Sequence, residues 1–275
     1  MRKEIKKLFI LGGIGTICAL SLRMLQIVAI SEAQTGFFSR DFAAFGTAIS
    51  ILIFAIIAAV GIYAISAKKT AGEPPVITKG FAVANFLLGA AIIYEALFAK
   101  VSASIPTWQL ILQVFTGLLT AIAFLYKGYT AFSGHKTTYI TEVLPIVFWL
   151  TRLIVTFATY ISVSVIADHI FETAALCFVL IYFLVIGEYN SGYKKMKNAK
   201  KILPLSVVTV ILCAVHALPQ LLLLITGRGE FLHADVVTYI TDCALLFYIP
   251  YHTVLCLKGE PLEEKNADEF EIIEI

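Results

Sequence analysis

Residues 46–66 read GTAISILIFAIIAAVGIYAIS, a stretch of 21 residues without a charged side chain. A membrane-spanning helix needs about 20 mostly apolar residues, whereas a helix on the surface of a soluble domain has one polar face. This stretch is apolar on every side, so it predicts a helix surrounded by lipid and by other helices. It decides the fold class, because segments of the same kind recur along the whole chain.

Apolar stretches of membrane length cover nearly all of the sequence. Of the 275 residues, 59% are hydrophobic and 15% are charged, against about 25% charged in a typical soluble domain. The predicted fold class is therefore an all-α polytopic membrane protein, with an acidic tail at 259–275. We predict eight spans, at residues 8–30, 42–66, 80–98, 108–126, 143–165, 169–187, 203–226 and 236–257.

The N-terminal segment has the basic start and apolar middle of a secretory signal peptide. Its apolar part is too long and is interrupted by Arg23, so we predict that it stays as the first span, with cleavage after Ala33 as the alternative. Most basic residues of the loops fall on the side of the two termini, and only Arg40, Lys100 and Arg228 fall on the other. This bias predicts that both termini are cytoplasmic in a protein of the plasma membrane.

Two segments 126 positions apart share an uncommon ending. Residues 46–69 and 172–195 align without a gap, and both end in the pattern G-x-Y-x4-K-K. The arginines inside spans 1 and 5 also fall at corresponding places. We therefore predict two parallel four-helix halves, 1–132 and 139–258, related by a pseudo-two-fold axis along the membrane normal, as in transporters built from parallel repeats.

Several polar side chains interrupt the apolar spans. An arginine at the centre of a membrane helix costs about 2.5–3.5 kcal/mol on insertion scales, so such residues face protein or a wet cavity. Helical spacing puts these side chains on one face of each helix. In the predicted orientation they gather in the outer half of the bilayer, with Arg152 near the middle, and leave the inner half almost free of buried charge. The predicted polar site consists of Arg23, Gln26, Glu95, Gln113, Arg152, His216, Gln220 and Asp242.

Two interpretations of this site compete. In the first, Arg23 pairs with Glu95 and Arg152 pairs with Asp242, and the pairs only hold helices together. In the second, the arginines bind a small anionic or zwitterionic solute, while Glu95 or Asp242 carries a proton or a cation. The second predicts a small-solute or ion transporter or channel. The first suits a membrane sensor or an accessory subunit of a membrane complex, and a membrane-embedded enzyme is the third alternative.

Other chemistries have less support in the sequence. No cofactor is expected, because a haem held by two histidines needs both at one depth, and His216 and His252 differ in depth. Motifs such as H-E-x-x-H and G-x-S-x-G are absent, and a net charge of +2 does not indicate nucleic acid binding. The expected partners are the lipid bilayer and a small solute.

A weak metal site is also predicted from outer residues that suit a divalent ion. Its members are Asp168, His169, Glu172, His233 and Asp235.

Overall fold

The computed structural model describes residues 3–32, 36–67, 71–72, 79–98, 107–134, 138–161, 167–228 and 236–259. These residues are almost entirely helical and form no strand. A π-helical turn, Gln26–Ile30, continues the first helix, and a 3-10 turn, Arg40–Phe42, precedes the second. The long helices are α1 Lys3–Leu25, α2 Ala43–Ser66, α3 Lys79–Phe98, α4 Thr107–Ser133, α5 Ile140–Ile161, α6 Ala167–Asn190, α7 Lys195–Ile225 and α8 Val236–Lys258.

Eight helices of the described residues are long and apolar enough to cross a membrane. The predicted class, an all-α multi-pass membrane protein, is thereby confirmed. The surface of α2 shows the physical reason, since Ile51 and Ile62 are 64% and 63% exposed. A contiguous surface of such side chains is unfavourable in water and favourable against lipid tails.

Some helix ends differ from the predicted spans. α4 continues past residue 126 to Ser133, and α7 begins at Lys195 rather than at 203. A span predicted from hydropathy ends at the first charged residues, whereas the helix itself can continue into the polar interface of the membrane. Residues 260–275 of the acidic tail lie outside the described residues. The division into halves 1–132 and 139–258 stays a prediction.

Hydrogen bonds and side-chain packing show which helix ends lie together. The Gly72 amide donates to the Cys256 carbonyl at 2.7 Å, and the Tyr189 hydroxyl donates to the Gly72 carbonyl at 2.8 Å. The ends of α2, α6 and α8 therefore share one side of the bundle, where Leu8 also packs against Leu203. This side is termed the inner end and the opposite side the outer end, after the predicted orientation.

Six of the helices close into a ring. Each helix from α3 to α8 packs on the next in sequence, and α8 packs back on α3. α1 and α2 lie outside this ring, where they pack on each other and on α7. Large buried side chains such as Trp149, Phe183 and Tyr248 belong to the main hydrophobic core. The interior of the ring is thus the place where polar groups from several helices can meet away from lipid.

Candidate functional site

A cluster of ionisable side chains lies inside the ring, toward its outer end. The guanidinium of Arg152 contacts Glu95, with Nε 3.4 Å from Oε1 and Nη1 3.5 Å from Oε2. Nη1 of Arg152 also lies 3.6 Å from Oδ1 of Asp242. The other oxygen of Asp242, Oδ2, lies 2.8 Å from Nδ1 of His216. Four helices of the ring, α3, α5, α7 and α8, therefore contribute to one chain of contacts.

Glu172 of α6 adds a third carboxylate. It is buried, and it interacts electrostatically with Arg152 and His216. Arg152, Glu95, Asp242, His216 and Glu172 are together termed the central cluster. One arginine and one histidine thus lie among three buried carboxylates, those of Glu95, Asp242 and Glu172.

Two side chains of the predicted polar site each carry a buried polar atom that has no hydrogen-bond partner among the described residues. These atoms are Nη2 of Arg152, a donor, and Oε1 of Gln220, an acceptor. Gln220 lies one helical turn beyond His216 on α7. Buried polar atoms are as a rule satisfied by protein or by ordered water. These two atoms therefore mark where the region has hydrogen-bonding capacity left for water or a small polar solute.

A second ion pair lies at the outer end of the bundle. Arg23 of α1 contacts Asp168 in the first turn of α6, and it also donates to the side chain of Gln26. Nε2 of Gln220 lies 3.3 Å from Oδ1 of Asp168. The guanidinium of Arg23 is 4.6 Å from the ring centroid of Phe171. Arg23 and Asp168 are termed the outer pair, and solvent reaches it at Asp168, whose side chain is 15% exposed.

Gln26 connects the outer pair to α2. Its Nε2 donates to the Gly46 carbonyl and to the Ser50 hydroxyl, each at 2.7 Å, while its Oε1 accepts from Arg23. It begins the π-helical turn Gln26–Ile30, and π-helical turns occur frequently at functional sites. The role of Gln26 is thus to fix the position of the Arg23 guanidinium.

All but one of the predicted polar-site residues belong to the central cluster or to the outer pair and its contacts. The exception is Gln113 of α4, which is half-buried and belongs to neither group within the described residues. The predicted pairing of Arg23 with Glu95 is wrong, because Glu95 contacts Arg152 and Arg23 contacts Asp168. Arg152 does contact Asp242, as predicted, but it shares that contact with Glu95.

The residues of the predicted metal site have other surroundings. Asp168 already has a cation partner in Arg23, Glu172 belongs to the central cluster, and His169 is half-buried on the same helix. His233 and Asp235 lie outside the described residues. Within the described ranges, no three histidine, cysteine or acidic side chains are placed to hold a metal ion. The metal site stays a prediction.

The prediction that the inner half is almost free of buried charge is wrong. Lys127 of α4 and Glu142 of α5 form a buried ion pair there, with Nζ 2.8 Å from Oε2. His252 also lies at this end, with Nδ1 2.9 Å from the Tyr182 hydroxyl. Lys127 follows Thr120 by seven residues and so shares its helix face. That spacing could have revealed the pair, had the predicted span not ended at 126.

Aromatic rings separate these inner groups from the central cluster. The Arg152 guanidinium lies 5.1 Å from the Trp149 ring centroid, and Trp149 stacks on Phe183 at 6.1 Å. Phe183 then stacks on Tyr248, and Tyr248 on His252, each at 5.9 Å. Trp149, Phe183 and Tyr248 are termed the aromatic column. Because buried apolar layers exclude water and ions, this column separates the central cluster from the inner end.

Comparison with protein families, with curated proteins and with solved structures finds no match for this chain. Function therefore has to be argued from the site itself. The site offers an enclosed cluster in which carboxylates outnumber cations, shared by five helices of the ring and with hydrogen-bonding capacity left over.

Proposed function

We propose that this multi-pass membrane protein is a transporter that moves a small anionic or zwitterionic solute together with protons. The observation that carries the proposal is the charge balance of the central cluster, in which one arginine and one histidine face three buried carboxylates. Side chains that only hold helices together need no surplus carboxylate, since each unpaired charge is costly. Buried carboxylates and histidines are, in contrast, common proton carriers in membrane transporters.

The contacts suggest how the solute and the proton are coupled. Arg152 binds the acidic group of the solute through its unpaired Nη2, and Gln220 accepts a hydrogen bond through Oε1. Asp242 lies between Arg152, at 3.6 Å, and His216, at 2.8 Å. When Asp242 is protonated, one of the two carboxylates in contact with Arg152 loses its negative charge, so the guanidinium attracts the acidic group of the solute more strongly. Proton binding therefore favours solute binding, and the converse follows by linkage.

The closed conformation fits one stage of such a cycle. In this proposal the outer pair closes the way from the central cluster to the outer end, and the aromatic column closes the way to the inner end. Alternating access requires each of these barriers to open in turn.

A second candidate is an accessory subunit or a sensor that transports nothing. It is favoured by the burial of the charges, since Arg23 and Arg152 are each 2% exposed and each has a carboxylate partner. A cavity of about 220 Å³ lies elsewhere, between α1, α7 and α8. An interior of paired charges that never opens would serve only to hold the helices together.

The proposed orientation places both termini in the cytoplasm, at the inner end. On intact cells, a membrane-impermeant maleimide should label Ser39→Cys and Arg228→Cys, while Tyr193→Cys should react only after lysis. A parent protein in which Cys18 is replaced controls for the one native cysteine that is exposed in the described residues. Labelling of Tyr193→Cys from outside, with the other two protected, would reverse the orientation.

Transport is tested with purified protein in liposomes that contain a pH-sensitive dye. With a panel of amino acids and small organic anions outside the liposomes only, the inward gradient of the transported solute should drive proton uptake by the wild type. Asp242→Asn can still hydrogen-bond to His216 but cannot carry a proton. We expect its rate to fall about 100-fold, the order of magnitude lost with a proton-transferring group.

Glu188→Gln is the matched control, because Glu188 accepts a hydrogen bond from Asn198 at 2.9 Å at the inner end, away from the central cluster. It should transport at the wild-type rate. If no solute of the panel causes proton uptake by folded wild-type protein, the transport proposal is contradicted and the accessory-subunit hypothesis is favoured. Undiminished uptake by Asp242→Asn would show that protons move without the central cluster.

A further inference from the structure

A groove opens on the membrane-facing surface at the inner end, away from the central cluster. It lies between α1, α7 and α8 and has a volume of about 220 Å³. Phe9 and Gly13 are exposed at its edge, so the groove is accessible from the side of the bilayer. Its walls are mostly apolar and include Leu8, Leu203, Val207, Val210, Ile211 and Pro250.

Two adjacent glycines on α1 leave the groove open. A Cβ atom on Gly13 would meet nothing within 4 Å, and one on Gly12 would lie 3.9 Å from Cγ1 of Val207. Close backbone contact is the usual reason for glycine between membrane helices, but here the glycines border a gap between α1 and α7. Apolar walls without contact partners lose dispersion energy. Hydrocarbon from the surrounding bilayer would restore those contacts.

Exposed lysines border the inner end of the groove. Lys7 directly precedes the lining residue Leu8, Lys200 lies one helical turn before the lining residue Leu203, and Lys258 ends α8. All three lysines are exposed. Basic side chains at the end of a membrane helix lie at headgroup level, where they attract anionic lipids. The groove thus combines apolar walls with positive charge at the level where a lipid phosphate would lie.

We propose that this groove binds an acyl chain of an anionic phospholipid, whose phosphate is held by Lys7 and Lys200. The occupant is a membrane lipid because the groove opens toward the bilayer and its walls offer few polar groups to a soluble ligand. A bound chain would join α1 to α7 and α8. The lipid would therefore stabilise the position of α1, the helix that carries Arg23.

Headgroup selectivity is tested by native mass spectrometry of the full chain, with phosphatidylglycerol and phosphatidylcholine of identical acyl chains as probes. The wild type should prefer phosphatidylglycerol. Lys7→Gln with Lys200→Gln should weaken phosphatidylglycerol binding about fivefold for each lysine removed, the factor that one lysine near the surface contributes. Lys79→Gln with Lys194→Gln removes two other exposed lysines of the inner end and should leave the preference unchanged.

Occupation of the groove is tested by filling it. Gly13→Leu should lose the phosphatidylglycerol adduct, while Gly13→Ala should keep it, because both changes raise helix propensity to a similar extent and only leucine fills the space. Phosphatidylglycerol should raise the Tm of wild type and Gly13→Ala, and it should not raise that of Gly13→Leu. Equal binding of the two lipids by the wild type, or unchanged phosphatidylglycerol binding by folded Gly13→Leu, would overturn the proposal.

Discussion

Arg152→Met should cause the largest loss of stability at the central cluster. Arg152 contacts Glu95 at 3.4 Å and Asp242 at 3.6 Å, and all three side chains are buried. Removal of one partner from a buried ion pair costs about 3–5 kcal/mol, because the other charge stays without compensation. Since two carboxylates lose their cation here, we expect a loss at the upper end of that range. The measurement is the free energy of unfolding of the purified protein in detergent.

Neutral carboxamides should restore most of this stability. The triple variant Arg152→Met, Glu95→Gln, Asp242→Asn has no uncompensated charge at these positions, so it should be more stable than Arg152→Met alone. Arg152→Lys should be intermediate, because one ammonium cannot reproduce the fork of the guanidinium. Arg228→Gln, an exposed arginine after α7, should change stability by less than about 0.5 kcal/mol. If Arg152→Met behaves like Arg228→Gln, the charge-balance argument for transport loses its basis.

The eight spans could be predicted from hydropathy because each segment has one favourable solution. A charge-free stretch such as 46–66 satisfies its backbone only as a helix when lipid surrounds it. The helix ends could not be predicted in this way. Lys127 and Lys195 stand where hydropathy falls, and hydropathy cannot tell a helix that continues at the membrane boundary from a loop.

The faces of the polar residues could be predicted, but their partners could not. Helical spacing places Arg23 and Arg152 toward protein, and both are buried. Which carboxylate each one meets depends on how the ring closes, and that is decided by packing between helices. Asp168 was assigned to an outer metal site, yet it lies in the first turn of α6, where acidic residues are favoured. Glu172 follows it by four residues on the same face, a spacing that pointed to a shared inward direction.

Removal of the outer pair should open the central cluster to the outer end. Arg23→Met with Asp168→Asn removes both charges together, so neither is left uncompensated and the fold is kept. Because Asp168 is 15% exposed, the pair should contribute about 2 kcal/mol, between the values for exposed and buried pairs. If that free energy holds the outer end closed, its loss should shift the equilibrium toward the open form about 30-fold.

Cys213 is a native reporter of this opening. It is fully buried on α7, and it interacts electrostatically with Arg152 and Asp242 of the central cluster. In a background whose other cysteines are replaced by alanine, a small membrane-impermeant thiosulfonate should modify Cys213 about 30-fold faster in the double variant. Arg40→Gln with Asp41→Asn is the matched control, since it removes two exposed opposite charges at the same end.

The rate of Cys213 modification separates the two hypotheses for the outer pair. In a transporter the pair is a barrier that must break in every cycle, so its removal should increase access to the cluster at temperatures well below the unfolding temperature. In an accessory subunit the pair only joins α1 to α6, so its removal should lower stability without selective access. An unchanged modification rate in a double variant that is less stable than the wild type would therefore contradict a gating role. It would leave Arg23 and Asp168 as a structural contact between two helices.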